Sequence, residues 1–254
     1  DQPRSRGLGD VYKRQMNTCV IEALYPEVCN LFGDTGNLRY LKLCLPQATF
    51  IETALNDEPY FVHHPVSMIY LGPMSEHTQC TVISKLAPYR ERIAECIANG
   101  VTFLATGNAM EVFGKQITDA QSGVTTGLGL LDLTTTRDMM HRFYSLVLGT
   151  YNELQMVGFR AQFTRSTLGS TEVPFIQVTK GTPMCETARI DGIQKNHFYG
   201  TYLLGPLLIL NPYFTKQLLQ QITGESVPLA FEKETIAAYH ARLADFQDKR
   251  VGIH

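Results

Sequence analysis

Charge, long apolar runs and paired cysteines are all scarce in this chain of 254 residues, and each scarcity closes off a class of function. Charged residues make up 18% and the formal net charge is −2, so no strong field favours nucleic acid or an anionic membrane as partner. No stretch approaches the roughly 20 continuous apolar residues of a membrane span. The longest apolar run, Tyr202 to Leu210, is interrupted by Gly205 and Pro206. Six cysteines (Cys19, Cys29, Cys44, Cys80, Cys96, Cys185) form no CxxC pair, and His63, His64, His77 and His197 fall on separate segments. No zinc-ligand spacing arises, so the expectation is reduced thiols in a cytoplasmic protein that uses no metal or other cofactor. The opening DQPRSRGLGDVYKRQ lacks the hydrophobic centre of a signal peptide. It reads as a disordered tail or an artefact of translation or assembly, with Met16 as the expected start.

Hydrophobic residues, at 44%, suffice for a sizeable core. The chain length fits one α/β domain over residues 16–225, followed by a C-terminal helical extension over 226–254. Apolar runs alternate with helical spacing from Cys19 onward. Strands are expected at Cys19–Tyr25, Ala48–Glu52, Ser67–Leu71 and Val101–Ala105. Helices are expected at Leu38–Leu45, through TQCTVISKLAPYRERIAECIANG, and at Ala109–Lys115. Such alternation implies a mainly parallel sheet covered on both faces, with ligands beyond the carboxyl ends of its strands. From Phe143 the pattern turns strand-like, and a charged helix closes the chain at about Glu232–Asp248.

Within FLATGNAMEVFG (103–114) an apolar strand passes through a small-residue turn into a helix. Acyl-transfer enzymes often mount a nucleophile at such a turn, near backbone N–H groups that can face an anion. Here Thr106-Gly107-Asn108-Ala109 offers neither Cys nor Ser.

The segment GVTFLATGNAMEVFG (100–114) resembles the nucleophile segment of class I glutamine amidotransferases. The nearest pattern is G-x-P-x-x-x-x-C-G-G-Y-Q-x-L-G, that of the cobyric-acid-synthase-like branch, which includes the glutaminase subunit (GatD) of lipid II isoglutaminyl synthase. LYPEVCNLFGDTGNLRYLK (24–42), MIYLGPMSEHTQ (68–79) and GTYLLGPLLILNP (200–212) are similar to other motifs of that branch, in the same order. The resemblance implies a three-layer α/β sandwich, flavodoxin-like, with a mainly parallel central sheet. It also implies glutamine hydrolysis by a Cys assisted by a His, with backbone N–H donors for the oxyanion.

The same register puts Gly107 at the family Cys position and Leu204 at the family His position. It keeps Gly72 of the oxyanion loop but follows it with Pro73, which has no N–H to give. Glu111 stands for a family Gln. In GFRAQFTRS (158–166), Arg160 and Gln162 replace a family Glu and His. Arg142 sits near a family Arg that faces glutamine. No catalytic residue is therefore assigned, and the remnant pocket is expected to hold Gly72, Gly107, Asn108, Glu111 and Arg142. Cys96, Cys185 with His197, and Thr106 are weighed as substitute nucleophiles and set aside. Asp34 or Thr35 in GDTGN reads as a helix cap, and Glu76 and Asp132 as solvent-facing or capping carboxylates.

Three functions stay open. One is a non-hydrolytic partner or regulatory subunit of a Mur-ligase-like amidoligase (MurT-like) in cell-wall precursor amidation. Another is an active glutaminase supplying ammonia for lipid II or corrinoid amidation. The third is a module binding a small anion or an amino acid, with glutamine and glutamate as candidate ligands.

Overall fold

A computed structural model of the chain describes residues 19–247. Residues 1–15, expected as a tail or artefact, lie outside them. The first strand, β1 (Val20–Leu24), leads into α1 (Thr35–Cys44), then β2 (Thr49–Thr53) and β3 (Met68–Leu71). Next come α2 (Glu76–Leu86), α3 (Arg90–Ala98), β4 (Thr102–Thr106) and a single turn of helix, α4 (Ala109–Val112). Four strands of the central sheet, β2-β1-β3-β4, run parallel.

The sequence alternation explains this sheet. Met68 and Tyr70 enter one apolar cluster with α1, while Ile69 and Leu71 enter the opposite cluster with α2 and α3. Phe103 and Ala105 divide from Leu104 in the same way. A strand buried on both faces reads as a continuous apolar run, and these do.

Two expected helices are shorter than their periodicity. The run 78–100 is two helices, because Ala87–Tyr89 forms a tight 3-10 turn at Pro88, which cannot donate to a continuous α-ladder. The helix expected to reach Lys115 stops at Val112, because at Gly114 the chain passes close to the Leu133 carbonyl, 2.9 Å from where a Cβ would stand.

Two further sheets follow. The strands β5 (Gln116–Asp119), β6 (Gly123–Thr126), β7 (Leu133–Arg137) and β10 (Thr164–Leu168) form a mixed sheet in the order β10-β7-β5-β6. An antiparallel sheet, β12-β11-β8-β9, is built from β8 (Phe143–Tyr151), β9 (Leu154–Gln162), β11 (Ile176–Lys180) and β12 (Ile190–Asp191). The chain then returns to the central sheet. The strand β14 (Phe198–Thr201) pairs parallel with β4, and β13 (Ile193–Lys195) forms an antiparallel edge. The helices α5 (Leu207–Leu210), α6 (Pro212–Thr223) and α7 (Glu232–Gln247) complete the described chain. Tyr239, Leu243 and Phe246 of α7 pack on Leu148 and Val157 of the antiparallel sheet. No helix among the described residues is long and apolar enough to cross a membrane.

This is a mixed α/β fold with a mainly parallel central sheet. The carboxyl ends of β1, β3, β4 and β14 gather the loops around Asp34, Pro73, Gly107 and Leu204.

Candidate functional site

The strand β4 ends at Thr106, and Gly107 turns the chain with φ +60°. A side chain in that left-handed region is costly unless the residue is glycine. Space is closed there too. A Cβ at position 107 would stand 2.7 Å from Pro73 Cβ and 3.3 Å from Leu204 Cδ2. Leu204 is 1% exposed and fixed by paired backbone bonds with Phe159, its N–H donating at 2.9 Å and its carbonyl accepting at 3.2 Å. Three of the positions that depart from the family pattern, Pro73, Gly107 and Leu204, therefore touch or nearly touch one another, and apolar atoms of two of them crowd the space over the third.

Gly72 is held by a different requirement. A Cβ there would meet the Cys29 carbonyl at 2.3 Å, so the backbone of the loop before α1 can pass only over glycine. Pro73 follows without an N–H, and its carbonyl accepts from Leu31 N–H at 3.1 Å. Asn108 ties this loop to the turn. Its amide nitrogen donates to the Met74 carbonyl at 2.8 Å, and its amide oxygen accepts from Met74 N–H at 3.0 Å. The side chain expected to meet an anion is thus engaged in holding two loops together.

Asp34, expected as a cap, makes no side-chain cap bond to α1. It is fully buried and accepts from Asn37 Nδ2 at 3.0 Å, from the Tyr70 hydroxyl and from Thr106 Oγ1. One carboxylate thereby joins the α1 entry, β3 and the last residue before Gly107. Burial pushes its carboxyl up to about 6, and the three donors oppose that rise. The side chain of Thr106 is spent on this contact and does not enter the cleft.

Beside the elbow lies a cleft of about 180 Å³, smaller than the roughly 300–1,000 Å³ of drug-sized sites. Gly107, Asn108 and Arg142 line it, together with Glu76, Arg137 and Gln162. Arg142 stands at the rim, its guanidinium carbon 5.8 Å from the Phe32 ring centre and 5.5 Å from that of Phe163, within cation–π range. Gly72 and Glu111 are not among the lining residues. Glu111 is buried behind the cleft and accepts from Gln79 Nε2 at 2.9 Å, Thr164 Oγ1 at 2.6 Å and the Tyr202 hydroxyl at 2.7 Å. Burial raises its carboxyl, against those donors and the nearby Arg137 charge.

Arg137 completes this network by donating from Nη2 to Gln79 Oε1, with Asp119 Oδ2 3.9 Å from its Nη1. Only 5% of the residue is exposed, and its Nε has no partner. Gln162, 7% exposed, likewise leaves its Oε1 without a donor. Arg137 escaped the sequence reading. Its signal lay in the alternation of LTTTR, where Leu133, Thr135 and Arg137 share the inward face.

The remaining candidates scatter. Cys185 Sγ donates to the Ala188 carbonyl, while His197 Nδ1 contacts the Gly100 carbonyl, so each is engaged separately. Cys96 is buried in the core, where burial raises its thiol. Cys29 lies against Met74 near the elbow and is pushed up to about 12 by burial, which keeps it protonated. Asp132 pairs with Lys115 at 2.6 Å. Arg160 forms a fully buried ion pair with Asp191, which also accepts from Thr201. Among the described residues no group of three His, Cys, Asp or Glu is placed to hold a metal ion.

Comparison with known proteins agrees with this architecture. A profile of the CobB/CobQ-like glutamine amidotransferase domain matches residues 20–211. Subunit GatD of lipid II isoglutaminyl synthase (glutamine-hydrolyzing) from Streptococcus pneumoniae is 25% identical over 215 residues, covering 82% of this chain and 80% of the relative. The GatD of Staphylococcus aureus is 23% identical over 228 residues, covering 87% of this chain and 90% of the relative. A glutamine amidotransferase crystal structure superposes with a TM-score of 0.50 at 11% identity, covering 79% of this chain and 98% of the other. That likeness concerns the fold alone.

Proposed function

We propose, because the chain belongs to the CobB/CobQ-like glutamine amidotransferase family, that it is a non-hydrolytic glutaminase-like subunit. In this reading it is retained in the cytoplasm as partner or regulator of an ATP-dependent Mur-ligase-like amidoligase acting on cell-wall precursors. The observation that carries the reading is the packing of Pro73 and Leu204 against Gly107, 2.7 and 3.3 Å from the place of a Cβ. A thiolate has no room there, no imidazole stands at position 204, and Pro73 gives no N–H to an oxyanion. Loss of a nucleophile or its base alone costs orders of magnitude in rate.

The partner half of the reading leans on the two relatives, each named as a subunit of lipid II isoglutaminyl synthase. The test is to purify the native complex and supply it in turn with glutamine and with free ammonium. The expected outcome is a stable complex that amidates its acceptor with ammonium and releases no ammonia from glutamine. Ammonia release from glutamine at a steady enzymatic rate would overturn the reading and favour the active glutaminase.

A second reading has its own support. Arg137 Nε and Gln162 Oε1, both buried at the cleft, lack partners, and a buried polar atom without a partner is expensive. A small carboxylate-bearing ligand such as glutamate or glutamine would supply both an acceptor and a donor. Thermal-shift measurements with each amino acid test this. Stabilisation that grows with ligand concentration is expected, and a flat response with glutamate, glutamine and nucleotides alike would contradict it.

A further inference from the structure

The long hairpin β8–β9 reaches two different cavities with its two ends. Gln162, which lines the cleft, pairs with Phe143 at one end, and Tyr151 pairs with Leu154 at the other. At about 3.3 Å per residue, β8 sets the turn at Asn152 and Glu153 roughly 25 Å from the cleft. There the turn meets α6 and α7 around a cavity of about 500 Å³, a size usual for small-molecule sites.

Three rings wall this cavity. Tyr213 comes from α6, and Tyr239 and His240 are consecutive on α7. The rings of Tyr213 and Tyr239 lie 5.5 Å apart between centres, with their planes inclined by 79°. His240 is 5.4 Å from Tyr239 at 65° and 6.2 Å from Tyr213 at 64°. Rings so inclined make a corner rather than a flat stack. The corner is also held in place. The Tyr239 hydroxyl donates to the Gln155 carbonyl at 2.8 Å, and the Tyr213 hydroxyl and His240 Nε2 stand 3.3 Å apart. Tyr239 belongs to the small core beneath α7, whereas His240 is exposed.

Charge around the cavity has one sign. Glu153 supplies the single carboxylate among the described lining residues, which include no lysine or arginine. Glu153 makes no ion pair among the described residues. Leu154 and Leu243 add apolar wall.

We propose that this cavity binds a small organic ammonium ion with alkyl arms, its positive charge set against the aromatic corner and the Glu153 carboxylate. The negative face of an aromatic ring attracts a cation, and cages of such rings are used to recognise quaternary ammonium groups. An alkylated ammonium gives up little hydration on meeting apolar walls, whereas a bare metal ion would lose much and finds too few donors here. An anion would meet Glu153 and no compensating cation. The cleft beside Gly107, with Arg137 and Arg142, calls for the opposite ligand charge. The ammonium site therefore stands or falls independently of the function proposed above.

The experiment is calorimetric titration of choline into the full-length protein, compared with its neutral isostere in which carbon replaces the ammonium nitrogen. Choline should bind saturably at one site per chain, and the isostere about tenfold more weakly or less tightly still. Tyr213→Leu removes a ring while keeping apolar bulk, and Glu153→Gln removes only the charge. Each should weaken choline binding about tenfold at an unchanged melting temperature. Glu91→Gln on α3, a carboxylate whose side chain is 87% exposed, should bind as wild type. Glu153 lies on a turn, so its variant decides the matter even where Tyr213→Leu fails to fold. Equal binding of the isostere, no saturable choline binding at millimolar concentration, or wild-type affinity in either folded variant would overturn the site.

Discussion

At Gly107 two physical constraints coincide, a left-handed backbone and a neighbour 2.7 Å from the place of a Cβ. Restoring the family cysteine by Gly107→Cys alone should therefore destabilise the fold by roughly 1–3 kcal/mol and yield no glutaminase. Only in combination with Pro73→Gly and Leu204→His should the fold recover and hydrolysis become measurable. Denaturant titration and an ammonia assay on the single and triple variants check this, and hydrolysis by the single variant would refute it.

Asp34 makes a second claim at the same scale. Its folded value of about 6 exceeds the ordinary 3.8, so the folded state binds the extra proton between those two values. Its contribution to stability is complete below pH 3.8 and lost as pH rises through 6. Glu111 and Glu22, both raised by burial, act in the same direction. Asp119, held down by the Gln121 and Ser122 N–H groups, acts in the opposite one. Wild-type protein should gain up to about 3 kcal/mol from this one group on acidification. In Asp34→Asn that part of the slope should vanish. Equal slopes in variant and wild type would show that the carboxyl titrates normally.

Among the elements, those buried on both faces of the central sheet were the most legible. The strands at Val20–Leu24, Met68–Leu71 and Thr102–Thr106 sit within two residues of their expected bounds, because continuous apolar runs between turn residues leave little choice. Periodicity failed where a contact distant in sequence intervened. The helix expected to reach Lys115 ends early for the sake of the Leu133 carbonyl, which periodicity around Ala109 cannot display. Asp34 read as a cap because local spacing fits one. Two of its three donors, Tyr70 and Thr106, lie 36 and 72 residues away. Arg137 was passed over because a threonine-rich strand looks like an exposed edge until its pairing with β5 and β10 turns one face inward.

The closing helix α7 also makes a quantitative claim. Leu243, packed with Tyr239 and Phe246 on Leu148 and Val157, should cost about 2–4 kcal/mol when changed to Ala. Equilibrium unfolding should then show one transition with an unchanged denaturant slope. A separate early transition would mean that residues 226–247 unfold as their own unit.

For the molecule as a whole, fold and chemistry separate. Membership of the family follows from residues 20–211, and what that membership implies about reaction depends on a handful of side chains. Here those positions carry a glycine, a proline and a leucine in mutual proximity. Beside them lies a cleft lined by Glu76, Arg137 and Arg142. That combination suits a subunit kept for what it binds.

The most direct test is exposure of the whole protein, alone and with the proposed ligase partner, to an electrophilic glutamine analogue, followed by intact-mass measurement. A non-hydrolytic subunit gives no adduct that excess glutamine suppresses, at any pH at which the protein stays folded. A stoichiometric, glutamine-protected adduct mapping to one cysteine and lost on its change to serine would contradict it.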